Sequence, residues 1–200
     1  ERGDAAPAFE LPGTDGEPHA LADFTDYEGL LVVFTCNHCP YAKAKFPEMN
    51  RLAAEYDEVA VVGINPNDAE EYPEDGLETM EARMADGTIA FDAYLRDESQ
   101  AVAADYGAVC TPDPFLFERA GRENPSLSPA ERTDDDAPFH LVYHGRLDDA
   151  MAPEDEPGER EMKAHIDAML AGAPVTEDFR PSRGCSIKWK AGNEPDYFEG

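Results

Sequence analysis

Two runs of apolar residues without a polar interruption, Leu30 to Phe34 and Val59 to Ile64, stand out from an otherwise polar chain. Unbroken runs of this length predict strands covered on both faces, as in a parallel sheet. Between them, Pro40 to Tyr56 places Phe46, Met49, Leu52, Ala53 and Tyr56 at helical spacing. Strand, helix and strand of these lengths predict a right-handed βαβ unit. Upstream, Ala8 to Phe24 reads as two short extended pieces around the turn signal Gly13-Thr14-Asp15-Gly16, an N-terminal β-hairpin extension. Downstream, Gly76 to Ala85 predicts a helix with Leu77, Met80 and Met84 on one face, followed by a strand near Phe91 to Leu95. A further helix from about Glu98 to Tyr106 ends at Gly107, a residue suited to the left-handed position after a helix. Phe115 to Phe117 and Phe139 to His144 are the next strands, and Glu159 to Leu170 is the last helix, stopped by Gly172 and Pro174.

Two stretches break the pattern. Residues 120–138 are rich in Pro, Ser and Asp, too long and too polar for a tight hairpin, and are expected to form an acidic surface insertion. Residues 175–200 form an irregular tail in which Ile187 and Trp189 are candidates to anchor it on the body of the protein. The expectation is therefore one α/β domain over residues 1–174, with a central mixed β-sheet flanked by helices, and a C-terminal tail packed on it. A chain of 200 residues is long enough for such a core.

Charge narrows the partners. With 44 acidic against 16 basic residues and a net charge of -28, the chain lacks the clustered Lys and Arg that nucleic acid or an anionic membrane requires. Neither is expected as a partner. The acids are spread along the whole chain, and Arg outnumbers Lys by 11 to 5, which resembles the surface of cytosolic proteins from salt-accumulating halophiles. Four cysteines in 200 residues are too few for a disulfide scaffold. No apolar run reaches the roughly 18 residues of a membrane span. The opening Glu1-Arg2-Gly3-Asp4 shows no signal-peptide pattern, so a cytoplasmic location is expected.

The candidate chemistry lies in Cys36-Asn37-His38-Cys39, between the first buried strand and its helix. Helix N-termini carry unpaired N–H groups and the positive end of the macrodipole, which favour thiolate over thiol. A Cys-x-x-Cys pair also fits half of a zinc site. Pro favours the first helical turn, so Pro40 places the helix start at Cys39 or Pro40 and leaves Cys36 in the loop before it. Three extended residues span roughly 10 Å, whereas a disulfide needs Cα atoms within about 7 Å, so the loop must curl for the pair to close.

Several segments together resemble the thioredoxin superfamily, specifically its thioredoxin-like and peroxiredoxin-like (AhpC/TSA-type) branch. They are Ala6-Pro7-Ala8-Phe9-Glu10-Leu11 with Asp15-Gly16, Val32-Val33-Phe34 before the cysteines, Pro47 within the helix, and Tyr106-Gly107-Ala108-Val109-Cys110-Thr111-Pro112. The resemblance implies a thioredoxin-like fold and a cis peptide at Thr111-Pro112 facing the active-site sulfur, where the preceding backbone is free to pair with a bound peptide. In the family's register, Phe34 five residues before and Pro47 eight after assign the nucleophile's place to Cys39. Ala42 then stands where the usual second cysteine would be, and Cys36 is its partner displaced upstream. A peroxiredoxin-like group carries a similar Cys-Asn-His-Cys-Pro. The family's peroxide-pocket Pro and Thr are replaced here by Val32 and Cys36, and the buried acid of thioredoxins by Val33.

These correspondences imply a thiol-disulfide oxidoreductase in which Cys39 attacks and Cys36 resolves, with no cofactor and no metal. Thr111, Pro112 and His38 are expected at the substrate, a protein or small-molecule disulfide; His38 would hold positive charge near the sulfur. Cys185, in Gly184-Cys185-Ser186-Ile187-Lys188-Trp189, is a candidate additional thiol, and Cys110 reads as a small apolar residue at a strand start. Two alternatives stay open. One is a peroxidase, with a peroxide as substrate. The other is a copper- or zinc-binding protein using Cys36, His38 and Cys39 with help from His140, His144 or Cys185.

Overall fold

The all-apolar runs form the centre of a five-stranded sheet. In the computed structural model, which describes residues 1–198, β3 (Gly29–Phe34) and β4 (Val59–Asn65) pair in parallel, with Leu31 opposite Val61 and Phe34 opposite Ile64. A short hairpin precedes them, β1 (Glu10–Pro12) against β2 (Pro18–Ala20). Parallel β5 (Ala93–Arg96) extends the sheet beyond β4, while antiparallel β7 (Asp113–Arg119) and β8 (Phe139–His144) extend it beyond β3. The order is β5-β4-β3-β7-β8.

Alternation of side chains along the strands divides the core into two layers. Leu31, Val33, Val59, Val61 and Leu116 face α1 (Pro40–Glu55), α2 (Leu77–Ala85) and α4 (Glu161–Leu170), which bring Phe46, Met49, Leu52, Met80, Met162, Ile166 and Met169. Leu30, Val32, Phe34, Ala60, Val62 and Ile64 face the other way, toward α3 (Ala101–Tyr106), the hairpin residues Phe9, Leu11 and Phe24, and the tail residues Ile187 and Trp189. This is the α/β, thioredoxin-like arrangement. No described helix is long and apolar enough to cross a membrane.

α4 begins at Glu161, two residues later than expected, and α3 begins later still. Gln100 holds a left-handed conformation (φ 66°), so α3 starts at Ala101 and not near Glu98. The Asp97 carboxylate accepts from the Ala103 N–H at 2.9 Å and so caps the first turn. Gly107 (φ 69°) closes α3 in the left-handed region as expected.

Two very short strands lie outside the main sheet. β6 (Cys110–Thr111) pairs antiparallel with β9 (Cys185–Ser186), which brings the tail to the residue before Pro112. The Thr111-Pro112 peptide bond is cis.

Several basic residues pair with buried acids. Glu118, buried on β7, is held by Arg122, and Glu161 by Arg146 and Arg180. Arg122 also donates to the carbonyls of Met169 and Leu170, fixing the start of the 120–138 segment to the end of α4. Leu127 of that segment is buried, and Pro129–Glu131 forms a 3-10 turn in its exposed part.

Candidate active site

The chain leaves β3 at Phe34, and Thr35 continues the ladder through its N–H to Ile64 O at 2.8 Å. Cys36 to Cys39 then turn into α1. Cys39 is the last extended residue (φ -68°, ψ 126°) and the N-cap, with Pro40 in the first turn. The side chain of an N-cap residue lies against the free N–H groups of that turn.

Three sulfurs meet here. Cys36 and Cys39 are both 0% exposed and pack with Ala42, against which Tyr41 and Cys185 rest. Cys39 Sγ lies 2.7 Å from Cys185 Sγ and 3.7 Å from the Thr111 carbonyl oxygen. Cys36 Sγ lies 3.3 Å from Thr111 Oγ1. The cluster thus joins the loop after β3, the N-terminus of α1, the strand before Pro112, and the tail.

The three thiols are electrostatically unequal. The Cys36 thiol pointing at Cys39 is the main cause that pulls Cys39 down, to about 4; burial opposes it, and the Cys185 thiol and the Ala42 N–H act in the same direction as Cys36. Cys36 is pushed well above the ordinary thiol range, first by its interaction with Cys39, then by burial and by the charge of Asp75. Cys185 is pushed up to about 11 by burial and by Cys39. Of the three, the electrostatics favour the thiolate at Cys39. The thiolate is the nucleophile in disulfide exchange.

A buried carboxylate fixes the loop. Asp75, 0% exposed, accepts from the Asn37 N–H at 2.7 Å, His38 Nδ1 at 2.5 Å, Asn67 Nδ2 at 2.9 Å and, at 3.3 Å, the His38 N–H. Asn37 is in turn gripped through Nδ2 by Glu74 O, through Oδ1 by the Tyr94 hydroxyl at 2.8 Å, and through its carbonyl by Arg83. The His38 ring stacks on Tyr72, with centroids 4.9 Å apart and planes at 13°. His38 therefore commits Nδ1 to Asp75. The buried acid of the loop thus comes from the turn Pro73–Asp75 before α2.

Cys36 Sγ, His38 Nδ1 and an Asp75 oxygen lie within 4.8 Å of one another, the only such donor group among the described residues. Its His and Asp atoms already bond to each other and to backbone, which uses the lone pairs a metal would need. The other two histidines of the metal reading lie elsewhere: His140 bonds the Asp134 carbonyl, and His144 bonds Asp113 and stacks on Phe115. Cys110 directs its thiol to Pro112 O at 3.4 Å and is pushed up by burial.

Sequence reasoning identified the cysteines, Thr111, Pro112 and His38 as residues to examine, and the structure brings the three named thiols, Thr111 and His38 to one place. It did not single out Asp75, Asn37, Asn67 or Tyr94. Asp75 is one of 44 acids, and nothing local to Glu74-Asp75-Gly76 sets it apart. Asn37, between two cysteines, was the one legible hint.

A family model described as the AhpC/TSA family matches residues 2–122. A hypothetical protein from Sinorhizobium meliloti 1021 is 38% identical, with a TM-score of 0.81 and 96% of each chain covered. An uncharacterized conserved protein from Geobacillus kaustophilus is 39% identical, with a TM-score of 0.81, covering 96% of this chain and 94% of that one. A putative thiol:disulfide interchange protein DsbE from Chlorobium tepidum is 22% identical with a TM-score of 0.58, covering 84% of this chain and 96% of its own, a likeness of fold. No curated protein matches the chain.

Proposed function

The chain belongs to the AhpC/TSA family, and from that premise we propose that it is a thiol-disulfide oxidoreductase in which Cys39 attacks and Cys36 resolves. The observation that carries the reading is the position of Cys39 at the N-cap of α1, packed with Cys36 and 2.7 Å from Cys185, where the direction of the electrostatics favours its thiolate.

In the first step, Cys39 thiolate attacks one sulfur of a substrate disulfide; a mixed disulfide forms and the other substrate sulfur leaves as thiolate. Cys36 then gives up its proton and attacks Cys39 Sγ. A Cys36–Cys39 disulfide forms, the second substrate thiolate leaves, and two electrons have passed from the protein to the substrate. The exchange balances with thiols alone. Thr111 bonds Cys36 through its hydroxyl, and its carbonyl oxygen, which can accept only from a protonated Cys39, lies 3.7 Å from that sulfur.

Replacing Cys39 by Ser tests the assignment. Reduction of a small aromatic disulfide, or of insulin, should be lost; full activity in that variant would remove Cys39 as the nucleophile. Family membership favours a second reading, in which a peroxide is the oxidant. Cys39 would then take the distal oxygen as a sulfenic acid, and Cys36 would expel it as water to form the same disulfide. Peroxide consumption that Cys39→Ser abolishes would support this reading, and its absence in the native protein would exclude it.

A further inference from the structure

The C-terminal tail places a third thiol on the attacking sulfur, and it does so along the backbone edge that would otherwise be open to a substrate. In the dithiol reading, a bound peptide would pair with the residue before the cis-proline. That edge is already occupied: Thr111 pairs antiparallel with Cys185, Cys110 with Ser186, and Ile187 N–H reaches Val109 O at 3.3 Å. The tail therefore sits where an extended substrate would, with its own cysteine at the attacking sulfur, 2.7 Å away.

The docking is built by several residues. Ile187 and Trp189 are buried in the core layer under the sheet. The Lys188 backbone bonds Asn67 Oδ1 and the Asp68 N–H, and its carbonyl also accepts from Gln100 Nε2. Gln100 Oε1 in turn accepts from the Lys190 N–H at 2.8 Å. Gln100 is the one non-glycine residue with positive φ among the described residues, a conformation that is retained where surrounding contacts over-determine it. Gly184 permits the close approach, because a Cβ there would lie 2.2 Å from the Thr111 carbonyl oxygen.

We propose that Cys185 is an intramolecular redox partner of Cys39, through which the buried Cys36–Cys39 pair is re-reduced from outside. The proposal rests on the reading of Cys39 and Cys36 as the exchanging pair. β9 and an extended substrate compete for one edge, so β9 leaves Thr111 for the oxidative half of the cycle and returns for the reductive half. Once the Cys36–Cys39 disulfide has formed, Cys185 loses its proton and attacks Cys39 Sγ. The Cys36–Cys39 bond breaks, the Cys39–Cys185 bond forms, and Cys36 leaves and takes up a proton, with no net electron transfer.

An external dithiol then attacks Cys185, the one partly exposed sulfur of the three. Cys39 leaves as thiolate, which its electrostatics favour, since a thiol of lower pKa is the better leaving group. The second thiol of the reductant releases Cys185 and closes the reductant's own disulfide. Two electrons have entered through the tail.

Disulfide mapping tests this on the full chain. The reduced native protein and a Cys36→Ser variant are oxidised with one equivalent of diamide, quenched by alkylation and digested without reduction. The expected product of Cys36→Ser is a monomer with a Cys39–Cys185 link, and the native protein should show that link beside Cys36–Cys39. If Cys185 stays fully alkylated in both while the native protein forms only Cys36–Cys39, the proposal is overturned and the dithiol reading survives. Disulfide reductase activity that persists in Cys39→Ser would instead remove the underlying reading. Should Cys36→Ser fail to fold, the native digest alone decides.

Discussion

Removal of the Asp75 carboxylate should unsettle the active-site loop more than loss of either cysteine. In Asp75→Ala, the N–H of Asn37, Nδ2 of Asn67 and Nδ1 of His38 lose an acceptor now 2.5–2.9 Å away, in a place with no exposed surface. Hydrogen bonds to a charged partner contribute about 1.5–3 kcal/mol each, so three of them sum to about 4.5–9 kcal/mol. The same change relieves the cost of keeping a carboxylate out of water, which is several kcal/mol. The net destabilisation expected is about 3–5 kcal/mol, the range found when one partner of a buried charged pair is removed. For a chain of this size, that lowers Tm by about 6–20 °C, read in a melt of the reduced protein. A second readout separates stability from chemistry: the Asp75 charge helps hold the Cys36 thiol up, so Cys36 should titrate at lower pH in the variant. A fall in Tm of less than about 2 °C, together with an unchanged Cys36 titration, would show that Asp75 does not anchor the loop.

Three further outcomes follow from the same geometry. Cys39 is depressed to about 4 when folded, against about 8.5 for a free thiol, so between those values the unfolded chain binds the extra proton and the reduced protein gains stability as pH rises. Urea midpoints of the native protein should therefore rise from pH 5 to pH 8 relative to Cys39→Ser; parallel curves would contradict the thiolate assignment. Gly184→Ala should open the β6–β9 pairing, which at one or two backbone hydrogen bonds is worth about 2 kcal/mol, and so raise the alkylation rate of Cys185 roughly thirtyfold; an unchanged rate would mean the tail tolerates the clash. With a net charge of -28, Tm should climb as salt is raised toward 1 M, where the Debye length falls to about 3 Å, and a flat response would argue against self-repulsion as a destabilising force.

The elements that were legible in the sequence are those whose burial repeats along the chain. β3 and β4 are wholly buried and read as apolar runs, and α1 shows its Phe46, Met49 and Leu52 face. The start of α1 was legible from one residue, because Pro40 fits only the first turn, and that placed Cys39 at the N-cap. α3 was read two to three residues too long, since only tertiary contacts hold Gln100 in a left-handed conformation that no local signal favours. β6 was legible only as a strand start at Cys110, and β9 not at all, because two residues cannot show a period.

What the sequence did not show at the site are chiefly the long-range contacts. Asp75 lies 37 and 38 residues from His38 and Asn37, the loop residues it bonds, and Cys185 lies 146 residues from the sulfur it touches. Asp75 sits in a segment that looks like an ordinary polar connection, and Ile187 and Trp189 marked the Cys185 segment as anchored without showing where. The consequence is a division of labour. In the proposed reading, contact with Cys36 chiefly favours the thiolate at Cys39, the turn at Asp75 holds the loop that carries both, and the tail sets what the Cys39 sulfur meets. A change that loosens the tail without touching the sheet should therefore alter which disulfide forms before it alters whether Cys39 reacts. Gly184→Ala allows that order to be read directly, from the ratio of Cys39–Cys185 to Cys36–Cys39 links at a fixed extent of oxidation: the ratio should fall while total disulfide stays constant. A proportional loss of both links would place the tail and the thiolate under one control and overturn the division.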